Sequence, residues 1–98
     1  MPEMTFTVRW PDGAVQQCYS PSLVMHDHLT VGSSYTVAEF LTRTDAALGE
    51  AAERVRAKYG FACTSAAATT EDINNTARRY DDESTVEVLD MHPPLPTP

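Results

Sequence analysis

Two cysteines, three histidines, four glycines and seven basic residues are all that this 98-residue chain offers of those types, and each scarcity excludes something. Cys18 and Cys63 match none of the close-paired spacings of zinc or redox sites, and both are expected to be thiols in a reducing compartment. The glycines build no phosphate-cradling loop, and there is no G-x-S-x-G elbow, no H-E-x-x-H and no paired CxxC. No motif therefore calls for a cofactor. Seven Lys and Arg against fourteen Asp and Glu leave a net charge of −7, a field that repels phosphate backbones and anionic lipid surfaces, so neither nucleic acid nor membrane is an expected partner. No apolar run approaches the roughly 20 residues that cross a bilayer. The first ten residues lack the basic start and apolar stretch of a secretory signal, which leads to the expectation of a cytoplasmic protein.

What is present suits one folded unit. Apolar residues make up 42% and charged residues 21% of the chain, an ordinary globular balance that needs no metal or disulfide staple. From Met4 to Trp10 apolar and polar residues alternate, as a half-buried strand requires. Pro11, Asp12 and Gly13 then supply a turn: Pro presets φ, Asp bonds its own backbone and Gly accepts the left-handed conformation. Ala14 to Tyr19 alternates again, completing a β-hairpin. Ser20 and Pro21 resemble an N-cap and first helical residue, which predicts a short helix through Leu29, with an extended segment as the alternative. Thr30 to Ser34 reads as a loop.

Thr36 and Glu39 form a T-x-x-E capping box, and Tyr35 is placed to staple onto Phe40. The helix that follows carries Val37, Leu41, Leu48, Ala52, Val55 and Tyr59 at three-to-four residue spacing. A dip in propensity at Thr42 to Thr44 leaves open a kink or two consecutive helices. Arg54, Arg56 and Lys58 suit the negative end of the dipole, Gly60 a left-handed cap, and Phe61 can fold back in Schellman fashion. Phe61 to Ala68 reads as a packed connection, and a short helix capped by Thr69 or Thr70 follows, with Ile73, Ala77 and Tyr80 on one face. Thr85 to Met91 has the composition of a third strand. The class expected is α+β: a small, mainly antiparallel sheet made of the N-terminal hairpin and the C-terminal strand, helices packed on one face, and the last strand beside the first. Residues 1–91 form the domain, with Phe6, Val8 and Trp10 facing Leu48, Val55 and Tyr59. Residues 92–98, four of them proline, form a flexible tail.

Few residues could carry chemistry. Cys18, Tyr19 and Ser20 lie at the hairpin exit with His26 in reach, and a thiolate there would gain if the sulfur faced a helix N-terminus. The simpler reading is a buried, inert thiol, and the same holds for Cys63. His26 and His28 would share a face on a strand and could ligate a metal, but they diverge by about 200° on a helix. Arg54, Arg56, Lys58, Arg78 and Arg79 could form an anion-binding patch if their helices meet. Otherwise they complement helix C-termini.

Three segments, Val8 to Gly13 (VRWPDG), Cys18 to Ser22 (CYSPS) and Glu53 to Ala66 (ERVRAKYGFACTSA), resemble the small family of bacterial nitrogen starvation response proteins first noted in mycobacteria. The resemblance implies a cytoplasmic protein expressed under nitrogen limitation, from a gene neighbourhood that includes a nitrilase-like enzyme. It transfers no catalytic residue. Size, missing motifs and this setting favour a non-enzymatic accessory or interaction protein whose expected partners are an enzyme of a nitrogen-scavenging pathway and a second copy of itself. The alternatives are a small-molecule-binding protein or minor enzyme at Cys18 and Ser20, and a metal-binding protein through His26 and His28.

Overall fold

A computed structural model describes residues 3–60 and 64–93. The readings made for Phe61, Cys63 and 94–98 lie outside the described residues. The elements run β1 (Met4–Arg9), β2 (Val15–Ser20), α1 (Met25–His28), β3 (Ser34–Thr36), α2 (Val37–Tyr59), α3 (Thr64–Ala77) and β4 (Thr85–His92). The strands form one antiparallel sheet in the order β2-β1-β4-β3. The fold is thus α+β, with the C-terminal strand beside the first as the hairpin-plus-strand reading requires.

The hairpin forms as its turn residues dictate. Gly13 N–H donates to Trp10 O at 2.9 Å, Trp10 N–H donates to Ala14 O at 2.8 Å, and Gly13 takes φ +93°. That combination is a type I turn closed by a left-handed glycine. Along β1 the side chains of Met4, Phe6 and Val8 are buried, continuing to Trp10, while Thr5, Thr7 and Arg9 face the other way. The Trp10 indole stacks on Tyr80 with centroids 5.6 Å apart, meets Phe40 edge-on at 5.5 Å, and donates its Nε1–H to Gln16 Oε1 at 2.8 Å. Its ring is enclosed and its one polar atom is satisfied.

α2 is one helix, not two. Thr36 Oγ1 accepts the Glu39 N–H at 3.1 Å, while the Glu39 carboxylate turns to Arg43 at 2.9 Å instead of closing the capping box. Thr44 is fully buried inside the helix because its hydroxyl donates to Phe40 O at 2.9 Å. At the far end Gly60 has φ +78° and donates its N–H to Arg56 O at 2.8 Å. The face that meets the sheet is Val37, Phe40, Thr44, Ala47, Leu48 and Ala51.

Two expectations are corrected here. Val55 is only half-buried and Tyr59 is 52% exposed, so neither presses on β1 as Leu48 does. Burial along α2 stops at Ala51, so its last turns lie outside the core. The short helix predicted at Ser20 and Pro21 begins instead at Met25, because Ser20 still pairs with Met4 in the hairpin.

β3 was not anticipated: Ser34 to Thr36 pair with Thr85 to Glu87 and lead straight into α2, whose Val37 N–H donates to Ser84 O at 2.8 Å. α3 starts at Thr64, five residues before the expected cap at Thr69, and buries Ala66, Thr69, Ile73 and Ala77. The Cα envelope is 17 Å in its thinnest direction, the depth of one sheet and one helical layer. The uncovered sheet face carries Thr5, Thr7, Arg9 and Gln17, with Arg9 paired to Glu87 at 3.4 Å.

Candidate functional site

Of the residues at the hairpin exit, Cys18 and Ser20 are buried, whereas Tyr19 and His26 are half-buried. Cys18 sits on the inner face of β2 opposite Phe6 and is 4% exposed. Burial, with the Asp72 carboxylate as a smaller cause, pushes its thiol up to about 12. No thiolate forms there near neutral pH. Tyr19 pairs with Thr5 and points to the opposite face, where its hydroxyl donates to Glu3 Oε2 at 2.9 Å. Ser20 is fully buried; its Oγ–H donates to Ser22 O at 2.8 Å and its Oγ accepts the Ser22 N–H at 3.3 Å. These bonds bend the chain out of β2. His26 Nε2 lies 2.9 Å from Pro93 O, far along the chain.

The segment from Met25 to His28 is helical, so the two imidazoles diverge. His28 Nε2 reaches Glu50 Oε2 at 3.2 Å. Among the described residues no three His, Cys, Asp or Glu side chains gather as metal ligands would.

The basic residues are divided by the antiparallel course of α2 and α3. Asn74 Nδ2 donates to Asp45 Oδ1 at 3.1 Å, which aligns those two levels. Arg54 lies nine residues beyond Asp45, roughly 13 Å along α2, while Arg78 and Arg79 follow Asn74 in the other direction. Arg54 pairs with Glu50 at 3.3 Å, and Arg78 donates to Asn75 Oδ1 at 3.1 Å. Arg54 and Lys58 therefore stand at one end of the helical pair, Arg78 and Arg79 at the other.

A groove of about 370 Å³ lies between α2 and α3. Leu48 and Ala52 from α2 meet Ala66 and Ala67 from α3 along its floor, while Asp45, Glu71 and Thr70 form its rim. Small residues create it: a Cβ placed on Gly49 would meet nothing within 4 Å. Its walls are apolar, and its rim presents two carboxylates and one hydroxyl. Such a lining suits a cationic or amphipathic occupant bound by shape and charge. Reading Phe61 to Ala68 as a connection hid half of this groove. The available signal was the alanine run at Ala66 to Ala68, which has the best intrinsic helix propensity of any residue type.

A family model described as nitrogen starvation-induced protein NitG matches residues 5–91. The chain belongs to the NitG family. The segments VRWPDG, CYSPS and ERVRAKYGFACTSA all fall inside the match, as do both walls of the groove. His92 and the prolines after it lie beyond the part that defines NitG membership. No curated protein and no solved structure matches the chain. NitG membership supplies the nitrogen-starvation setting, and the geometry must supply the rest. No helix among the described residues is long and apolar enough to cross a membrane.

Proposed function

We propose that this NitG-family chain is a cytoplasmic accessory protein of the nitrogen starvation response that works by contact with other polypeptides through the α2–α3 groove. The observation that carries this reading is the make-up of the groove: apolar along its floor, carboxylate at its rim and open to a side chain or helix from outside. Among the described residues, Cys18 is buried and held as a thiol, and the buried Ser20 hydroxyl is bonded to Ser22. The heterologous partner we assign is an enzyme of a nitrogen-scavenging pathway.

Affinity capture from nitrogen-starved cells tests this reading when run side by side with the wild-type chain and Gly49→Leu. The leucine fills the groove at a position with open space and improves helix propensity by roughly 0.5 to 1 kcal/mol, so the bait stays folded. Recovery of a nitrogen-scavenging enzyme by the wild type and its loss from the variant is the expected outcome. Equal recovery by both baits, or no such enzyme above background, counts against the reading.

A further inference from the structure

The C-terminal turns of α2 leave the core without leaving the pattern. Ala51 is the last fully buried residue of the helix, yet α2 continues to Tyr59. Asp45, Leu48, Ala52, Val55 and Tyr59 follow one another at three or four residues and share one face, with Gly49 and Arg56 beside them. The first part of that face lines the groove. The second part continues past the core, carrying half-buried Val55, exposed Arg56 and a Tyr59 ring that is 52% exposed with the Lys58 ammonium 5.7 Å above it.

We propose that two copies of this chain pack their α2 helices antiparallel across a two-fold axis at Ala52, each laying its projecting end into the groove of the other. The proposal rests on the reading of the groove as a contact surface and names its occupant. Symmetry is the first argument. Gly49 precedes Ala52 by three residues and Val55 follows it by three, so the dyad sets the Val55 side chain of the second copy opposite the gap at Gly49. Leu48 and Arg56 are each displaced by four, Asp45 and Tyr59 each by seven. An isologous contact needs just this matching of one surface to itself.

Charge is the second argument. The groove end is acidic at its rim through Asp45 and Glu71, and the projecting end is basic through Arg56, with Lys58 at its flank. Antiparallel packing brings the guanidinium of one copy to the carboxylates of the other, twice over. A parallel arrangement would set acid on acid. Small residues at the centre, Gly49 and Ala52, permit the helices to approach closely. The polar sheet face stays clear of this contact.

Sedimentation velocity on the full chain over a range of concentrations is the test. The wild type is expected at twice the monomer mass of 10.8 kDa, and Ala52→Glu, which puts two carboxylates on the dyad, is expected to be a monomer with an unchanged circular dichroism spectrum. Arg56→Glu guards against a folding defect at Ala52, because Arg56 is exposed; it should raise the dissociation constant about tenfold. Val15→Glu, on the outer strand β2 where Val15 is 60% exposed, should remain a dimer. A monomeric wild type, a dimeric Ala52→Glu, an Arg56→Glu that associates as tightly as the wild type, or a Val15→Glu that alone dissociates overturns the proposal. Capture from nitrogen-starved cells with Arg56→Glu, which weakens the dimer but leaves the groove lining untouched, reports separately whether the groove binds a heterologous polypeptide, so one reading can fail without the other.

Discussion

Burial of the Cys18 thiol has two measurable consequences. Its folded value of about 12 against an ordinary 9.0 lowers the thiolate fraction near pH 8 about a thousandfold. Alkylation of Cys18 by iodoacetamide, followed by peptide mapping, should therefore be slower by at least that factor than in urea. Because the folded state holds the proton more tightly than the unfolded chain, this contribution to stability is complete below about pH 9 and is lost as pH rises from 9 toward 12. A thermal melt in that window should show the wild type losing stability that Cys18→Ala keeps. Ser20 makes the complementary case. Replacing it with Ala strands the Ser22 backbone groups that its hydroxyl serves, at a cost of about 1 to 3 kcal/mol. Urea denaturation would measure that loss, and binding by the folded fraction should be unchanged if the hydroxyl is structural.

Among the elements, α2 is the one whose boundaries are set most locally. Thr36→Ala removes the acceptor for the Glu39 N–H and should cost about 1 kcal/mol. For a chain of this size the melting temperature should fall by about 4 to 8 °C, measured by circular dichroism. The reciprocal half of the capping box is absent, so Glu39→Gln should leave the cap intact and remove only the exposed pair with Arg43. What was legible beforehand was what short sequence spans determine. Pro11 to Gly13, with strict alternation on either side, specifies the hairpin, and Thr36 and Gly60 specify the two ends of α2. β3 was hidden because its three residues overlap the capping signal, and only pairing with Thr85 to Glu87 makes them a strand. The start of α3 was hidden because Ala66 to Ala68 carries no amphipathic contrast. The outer face of α2 misled for another reason. Leu48, Ala52, Val55 and Tyr59 do have the period of a buried stripe, but burial along α2 stops at Ala51, and where the core ends is a tertiary fact. The groove was the least legible feature, since it needs both helices and their register.

At the scale of the molecule the excess of fourteen acidic over seven basic residues meets a thin two-layer body with little interior in which to hide charge. The ion pairs Arg9–Glu87, Arg43–Glu39 and Arg54–Glu50 are all partly exposed, and such pairs contribute little to stability. Repulsion among the remaining carboxylates, including the run Asp81, Asp82 and Glu83, acts over longer distances than those pairs do. Raising ionic strength from about 10 mM to about 150 mM shortens the screening length from roughly 30 Å to roughly 8 Å, which removes distant repulsion while sparing contacts at 3 to 4 Å. Differential scanning calorimetry near pH 7.5 should therefore show a higher melting temperature in the saltier buffer. A lower one would mean that the surface pairs outweigh the net charge. The same imbalance predicts that solubility passes through a minimum near the isoelectric point of about 4.7, where the repulsion that keeps the molecules apart vanishes. Light scattering across a pH series should place the onset of association there, and charge-reversal of Asp81 and Asp82 to Lys should move that onset to higher pH.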